Sequence, residues 1–274
     1  MPLEDLLPEL IVGFDTETTG LDTAEDEIIS YGFAVFRHGM FQEDESGQFF
    51  ATTERPINPR AQDIHGLSTD DIQSRTSNWG GPYTSSEGLR KAIDQLLIFK
   101  KSGAIIVGAF PKFDFDMLHA MSQRHLRDSF DWTRHIEPNY RFEVHQMRPI
   151  PTFSNAHANG NQHGNIGELS NSDWNVESVS RPWATRVTRP FRPTPKWPFI
   201  IDVCAFDRIH WPDLTRRRSL GALCEFYNVV PGGHDALQDA RAAVEVWMQQ
   251  ISARHTELLV AQTSSDTNHS DSTR

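Results

Sequence analysis

The sequence predicts an α/β protein: a mixed, five-stranded central sheet with helices on both faces and a long insertion. Three observations carry this. Strand-like runs come first, helix and strand then alternate, and two helical segments close the order. There is no internal repeat and no glycine-rich phosphate loop.

The first three strands are "ELIVGFD" (9–15), "EIISYGFAVF" (27–36) and "GQFFATT" (47–53), separated by turn-forming or acidic segments suited to a meander. In "SSEGLRKAIDQLLIFKKSG" (85–103), Leu89, Ala92, Ile93, Leu96 and Leu97 form a helical stripe, with Ser86 near its start and Gly103 past its end. "AIIVGAF" (104–110) reads as a buried fourth strand, and "FDFDMLHAMSQRHL" (113–126) as a helix. The fifth strand is "FIIDV" (199–203). Two helices follow, the second being "DALQDARAAVEVWMQQISARH" (235–255), where Leu237, Ala240, Val244, Trp247 and Ile251 share one face.

Between the halves the pattern dissolves. Residues 129–197 are rich in Asn, Pro, Ser, His and Gly, and their middle has almost nothing to bury. The organisation expected is one domain in two parts, 1–128 and 198–258, around a partly disordered insertion at 129–197, with a disordered tail at 259–274.

Twenty-six basic against 37 acidic residues give a net charge of −11, which argues against general coating of nucleic acid or of an anionic membrane but leaves room for a local basic groove. Two cysteines, Cys204 and Cys224, lack metal-ligand spacing and fit a reduced compartment. The beginning "MPLEDLLPEL" lacks a signal pattern, and no apolar run approaches the ~18 residues of a membrane span. A cytoplasmic protein without a membrane partner is expected.

Chemistry concentrates in the acids. Residues two apart on a strand share a face, so Asp15 and Glu17 project together from the end of the first strand, where like charges repel. Protonation, a basic partner or a divalent cation with oxygen ligands relieves such a pair. Of the four acid-x-acid pairs, at 15/17, 25/27, 43/45 and 114/116, only 15/17 closes a strongly apolar strand. In "FDFDML", helical geometry puts Asp114 on the core side with Met117, Leu118 and Met121, and Asp116 on the polar side. In "GGHDALQDARAA", Asp235 and Gln238 resemble a capping box, which leaves His234 just outside the helix and Asp239 one turn inside it.

"FDTETTG", "FDFDML" and "HDALQD", in this order and with "DIHGLS" at 63–68, resemble the three motifs of the DnaQ-like DEDDh 3′–5′ exonucleases, relatives of the proofreading epsilon subunit of bacterial DNA polymerase III. The likeness spans residues 9–127 and 198–252. It implies a ribonuclease-H-like fold and two divalent cations, Mg²⁺ or Mn²⁺, held by Asp15, Glu17, Asp114 and Asp239. It implies His234 as general base, and Thr18, Thr19, His65 and Phe113 near the terminal nucleotide. A histidine suits the task, because its ordinary pKa of about 6.5 leaves it able to accept a proton near neutrality. The expected activity is two-metal hydrolysis from the single-stranded 3′ end of DNA, releasing 5′-mononucleotides in proofreading or repair, with a DNA polymerase as a candidate partner. Trimming of short RNA and a non-catalytic polymerase-docking module are the competing readings. One departure stands out: many members have an asparagine four residues before the third acid, and this chain has Phe110.

The insertion holds one further signal. In "RPWATRVTRPFRPTPKW" (181–197), Arg181, Arg186, Arg189, Arg192 and Lys196 alternate with Trp183, Phe191 and Trp197, without an acid. Cations interleaved with aromatic faces suit unpaired nucleic acid, and Arg186, Arg189 and Arg192 are candidate backbone contacts. A proline-rich linker is the alternative.

Overall fold

A computed structural model describes residues 6–127, 197–213 and 218–270. Strand β1 (Leu10–Thr18) pairs antiparallel with β2 (Ile28–Arg37), which carries the two-residue β3 (Met40–Phe41) and pairs antiparallel with β4 (Gly47–Thr52). Helices α1 (Pro59–His65) and α2 (Thr69–Ser74) lead to β5 (Tyr83–Thr84), parallel to β4, and to α3 (Ser85–Lys101). Strand β6 (Ile105–Gly108) returns parallel to β1, followed by α4 (Pro111–Met121) and a π-helical turn at Ser122–Leu126. Beyond the insertion, β7 (Ile200–Asp202) adds parallel to β6, and α5 (Val203–His210), α6 (Leu220–Tyr227) and α7 (Ala236–Ser270) complete the order.

The sheet order is β5-β4-β2-β1-β6-β7 with β3 beside β2, a mixed sheet with helices packed on it. The five expected strands form its body. It has seven strands rather than five, because β3 and β5 are two residues long and carry no readable period. Three short helices, α1, α2 and α5, were likewise not anticipated. The expected insertion, with Arg186, Arg189 and Arg192, lies outside the described residues except for its last residue. The expected disordered tail is corrected over 259–270, where α7 continues to Ser270. Once the packed turns around Trp247 form, each further residue adds a backbone hydrogen bond to an existing helix.

Alternation along β1 divides the core. Val12 and Phe14 point into one layer with Phe33, Phe49, the Leu89/Leu96 stripe of α3, and Phe115 and Leu118 of α4. Phe14 and Phe33 are fully buried with ring centroids 5.0 Å apart, and each such burial contributes ~1.5–3 kcal/mol. The opposite face is bare at two points. A Cβ on Gly13 would lie 2.1 Å from the Ala240 carbonyl oxygen, and one on Gly32 would lie 2.2 Å from the Ala236 carbonyl carbon. Both positions require glycine, because the backbone of α7 rests directly on the sheet there. Trp247, fully buried farther along α7, anchors that helix.

The cap of α3 is Thr84, in a capping box with Glu87, two residues ahead of Ser86. Asp202 ends β7 and caps α5, its Oδ1 accepting from the amides of Cys204 (2.9 Å) and Ala205 (3.0 Å). Among the described residues no helix is long and apolar enough to cross a membrane.

Candidate active site

The end of β1 presents two acids, Asp15 and Glu17, on one face of the sheet and a hydroxyl, that of Thr16, on the other. Thr16, between Asp15 and Glu17, points oppositely to them, and its hydroxyl donates to Asp114 Oδ1 at 2.6 Å. Asp114 is 3% exposed, on the buried side of α4 as its helical position predicts. Asp116 instead forms an exposed ion pair with Lys112.

Burial raises all four candidate carboxyls, and repulsion from neighbouring acids adds to it at Asp15, Glu17 and Asp239. Asp15 is pushed well above the usual range, first by burial and then by Asp114, Glu17, Asp239 and Asp235. Glu17, 9% exposed, is raised to about 8 by burial and then by Asp239, Asp114 and Asp235. Burial raises Asp114 to about 7, against the hydrogen bond from Thr16, which favours its charged form. Asp239 is raised chiefly by burial, with His234 opposing. Among the described residues none of the four has a Lys or Arg ion-pair partner.

The fourth acid is held by a tight loop ahead of α7. A Cβ on Gly232 would lie 2.2 Å from the Asp239 amide nitrogen, so the chain wraps Asp239 closely. Gly233 (φ 72°) and His234 (φ 63°) turn in the left-handed region, and the His234 amide donates to Asp239 Oδ2 at 3.0 Å. Asp235 Oδ1 accepts from the Gln238 amide at 3.1 Å, the capping half of the expected box. The His234 side chain stays exposed, and one donor atom each from Glu17, His234 and Asp239 lie within 4.8 Å of one another.

The other candidates divide. His65 ends α1, its Nδ1 accepting from the Leu67 amide at 3.1 Å; burial lowers its pKa, the Thr18 carbonyl raises it, and His234 lowers it. The influence of His234 on His65 puts the two in one neighbourhood. Thr18 is 7% exposed, and its hydroxyl donates to the Gly20 carbonyl at 2.6 Å. Thr19 corrects the expectation. It is fully buried, donating to Asp26 Oδ1 at 2.9 Å and accepting from the Glu27 amide at 3.0 Å, so it secures the turn after β1 rather than facing a ligand. Phe113 is half-buried against the α3/α4 layer.

Two contributors were missed. Thr16 could have been found from strand alternation, which directs it away from the acids beside it. Asp235 was read as a cap alone, although it also raises Asp15 and Glu17.

A carboxylate-rich donor set with a histidine at its rim and, among the described residues, no Lys or Arg ion-pair partner fits divalent cations that take oxygen ligands. The chemistry of the donors passes that test for Asp15, Glu17, Asp114 and Asp239, with His234 close enough to Glu17 and Asp239 to touch the same site.

The mixed sheet and the helices packed on it form a ribonuclease-H-like fold. The family model RNase_T, described as Exonuclease, matches residues 12–147. Three solved structures are similar: an Exonuclease I (12% identity, 91% of this chain and 44% of that one, TM-score 0.54), E. coli Exonuclease I in complex with a 5cy-dT13 oligonucleotide (12%, 94% and 44%, 0.52), and the zinc-bound form of the E. coli ExoI–ssDNA complex (12%, 94% and 43%, 0.53). At this identity the likeness speaks for the fold. The chain spans less than half the length of these structures. No curated protein matches it.

Proposed function

We propose that the protein is a metal-dependent 3′–5′ exonuclease that releases 5′-mononucleotides from single-stranded DNA ends. The observation that supports this reading is the cluster of Glu17, His234 and Asp239, whose donor atoms lie within 4.8 Å of one another, with Asp15 and Asp114 near enough for their charges to act on each other and on Glu17. Folding gains nothing from crowding buried carboxylates together, whereas cations that assist phosphodiester hydrolysis are held by such oxygen ligands. Bound by these acids, a pair of divalent cations supplies charge neutralisation and an activated water.

The chain's own parts have separable tasks. Asp15 and Glu17 are held by a central strand, which keeps the donors rigid. Thr16 favours the charged, donor form of Asp114. The 232–234 loop orients Asp239 and leaves the His234 imidazole exposed, where it would take the proton from the attacking water. His65 and the main chain at Thr18 line the same side and would meet the terminal nucleotide. The preference for DNA is supported by the single-stranded DNA named for the similar Exonuclease I structures, and a proofreading role would add a polymerase as partner.

The test compares end-labelled single-stranded DNA, duplex DNA with a mismatched end, and RNA, each with Mg²⁺, Mn²⁺ or chelator. Laddering from the 3′ end with metal, and none with chelator, is expected. Preference for RNA would transfer the reading to an exoribonuclease. No hydrolysis of any substrate, with the fold intact, would favour a docking module.

A further inference from the structure

Phe110 is hard to explain by folding. It caps α4 from the left-handed region (φ 56°, ψ 45°), which a bulky side chain enters only against steric resistance, and it makes no side-chain capping bond. Its side chain does not serve the core either, since the residue is 45% exposed. An asparagine would suit this backbone better, tolerating the left-handed region and offering a capping oxygen. Single exposed apolar residues are ordinary. Three features on one residue are not: the disfavoured backbone, the exposed ring, and a cation placed over it. The Arg208 guanidinium, from α5, lies 5.8 Å from the ring centroid. Asp114 follows one helical turn later, about 6 Å along the axis.

Resting on the exonuclease reading, we infer that Phe110, backed by Arg208, is a stacking platform for a nucleobase of the single strand entering the acid cluster. An aromatic face is what an unpaired base offers partners for, whatever its identity, and a guanidinium on the ring strengthens such a platform while also attracting the phosphate backbone. The rigid attachment matters as much as the ring. Phe110 sits between β6 and α4, so a base held on it is held at a set distance from Asp114. The strained turn thus points an aromatic face outward from the element that also carries a candidate metal ligand. Such a platform grips sequence-tolerantly, which suits an enzyme that must pass every base in turn.

The test uses the whole chain with Phe110→Asn, Phe110→Leu and Phe110→Trp. Binding is read in chelator by quenching of 2-aminopurine at each of the last four positions of a single-stranded oligonucleotide. Turnover is read on that oligonucleotide and on the p-nitrophenyl ester of thymidine 5′-monophosphate, which has no second base. Stacking worth ~1–3 kcal/mol per base corresponds to roughly five-fold or more in affinity. Phe110→Asn and Phe110→Leu should lose quenching at one position and raise KM for the oligonucleotide by that factor with kcat nearly unchanged. Phe110→Trp should keep both, and the small ester should be cleaved alike by all. Phe110→Asn should also melt no lower than wild type. Wild-type quenching and KM in Phe110→Leu would overturn the platform. If the wild-type chain cleaves neither substrate, the exonuclease reading fails on its own; quenching that depends on Phe110 would still support the platform, and quenching indifferent to it would refute it.

Discussion

Gly32 lies directly across the β1–β2 pairing from Asp15, and a methyl group on it would collide with the Ala236 carbonyl carbon at 2.2 Å. The bare backbone at Gly32 lets the first turn of α7 settle on the sheet, which carries Asp239 to the Asp15 end of β1. Gly32→Ala should therefore act twice. Overpacking of this kind costs about 1–3 kcal/mol, which for a chain of this size lowers Tm by roughly 2–10 °C. Activity should fall further than the folded fraction does, because α7 is displaced. A thermal melt and an exonuclease assay at a temperature where the variant is folded check both; an unchanged Tm with full activity would contradict the packing described.

Glu17 allows a signed prediction. Unfolded, it ionises near about 4.3, and folded it is raised to about 8. Below the unfolded value both states hold the proton and its contribution to stability is complete. As pH rises through about 8 that contribution is lost, since the unfolded chain releases its proton first. In chelator, Glu17→Gln should thus match wild type near pH 4–5 and melt several degrees higher at pH 8. Added Mg²⁺ should raise wild-type Tm at pH 8 and raise that of the variant less. A wild-type-minus-variant difference that is flat from pH 5 to 8.5 would count against a crowded metal site.

Thr16→Val removes the 2.6 Å hydrogen bond that stabilises ionised Asp114. The carboxyl, already at about 7, should then keep its proton to higher pH and compete better against cations. The apparent Mg²⁺ requirement should rise several-fold at pH 7 and recover toward wild type at pH 8.5. Equal Mg²⁺ titrations at both pH values would show that Thr16 is only a packing residue.

His234 and the acids should separate by what they lose. Asp15→Ala, Glu17→Ala, Asp114→Ala and Asp239→Ala should each remove both turnover and the Mg²⁺-dependent gain in Tm. His234→Ala should lower turnover by about 10²–10⁴-fold, the range for acid–base groups, while keeping that gain. If the Tm gain vanishes as well, His234 is a ligand rather than a base, which its closeness to Glu17 and Asp239 would allow.

Asp116→Ala is the control for geometry. Its ion pair with Lys112 is exposed, so the change should alter stability by within about 0.5 kcal/mol and leave turnover near wild type. Damage equal to that of Asp114→Ala would mean that the helix presents the other face to the site.

Local periodicity was enough for several of these assignments. A period of two put Asp15 and Glu17 on one face of β1, and a period of 3.6 turned Asp114 inward and Asp116 outward, because those repeats follow from backbone geometry before any tertiary contact forms. Length and composition defined the five main strands and the long last helix for the same reason. Two-residue strands such as β3 and β5 have no period to read, and a fully buried Thr19 looks the same in sequence as an exposed one. Other relationships had no local trace at all. The bond from Thr16 to Asp114 joins residues 98 apart, and the approach of Asp239 to Asp15 needs glycines on two different strands to line up under α7. Phe110 shows the limit most clearly: its residue type departs from the motif in sequence, but its left-handed turn and the Arg208 guanidinium over its ring arise only when β6, α4 and α5 are brought together. Spacing along a chain specifies which face a side chain takes, and packing between elements specifies what that face meets.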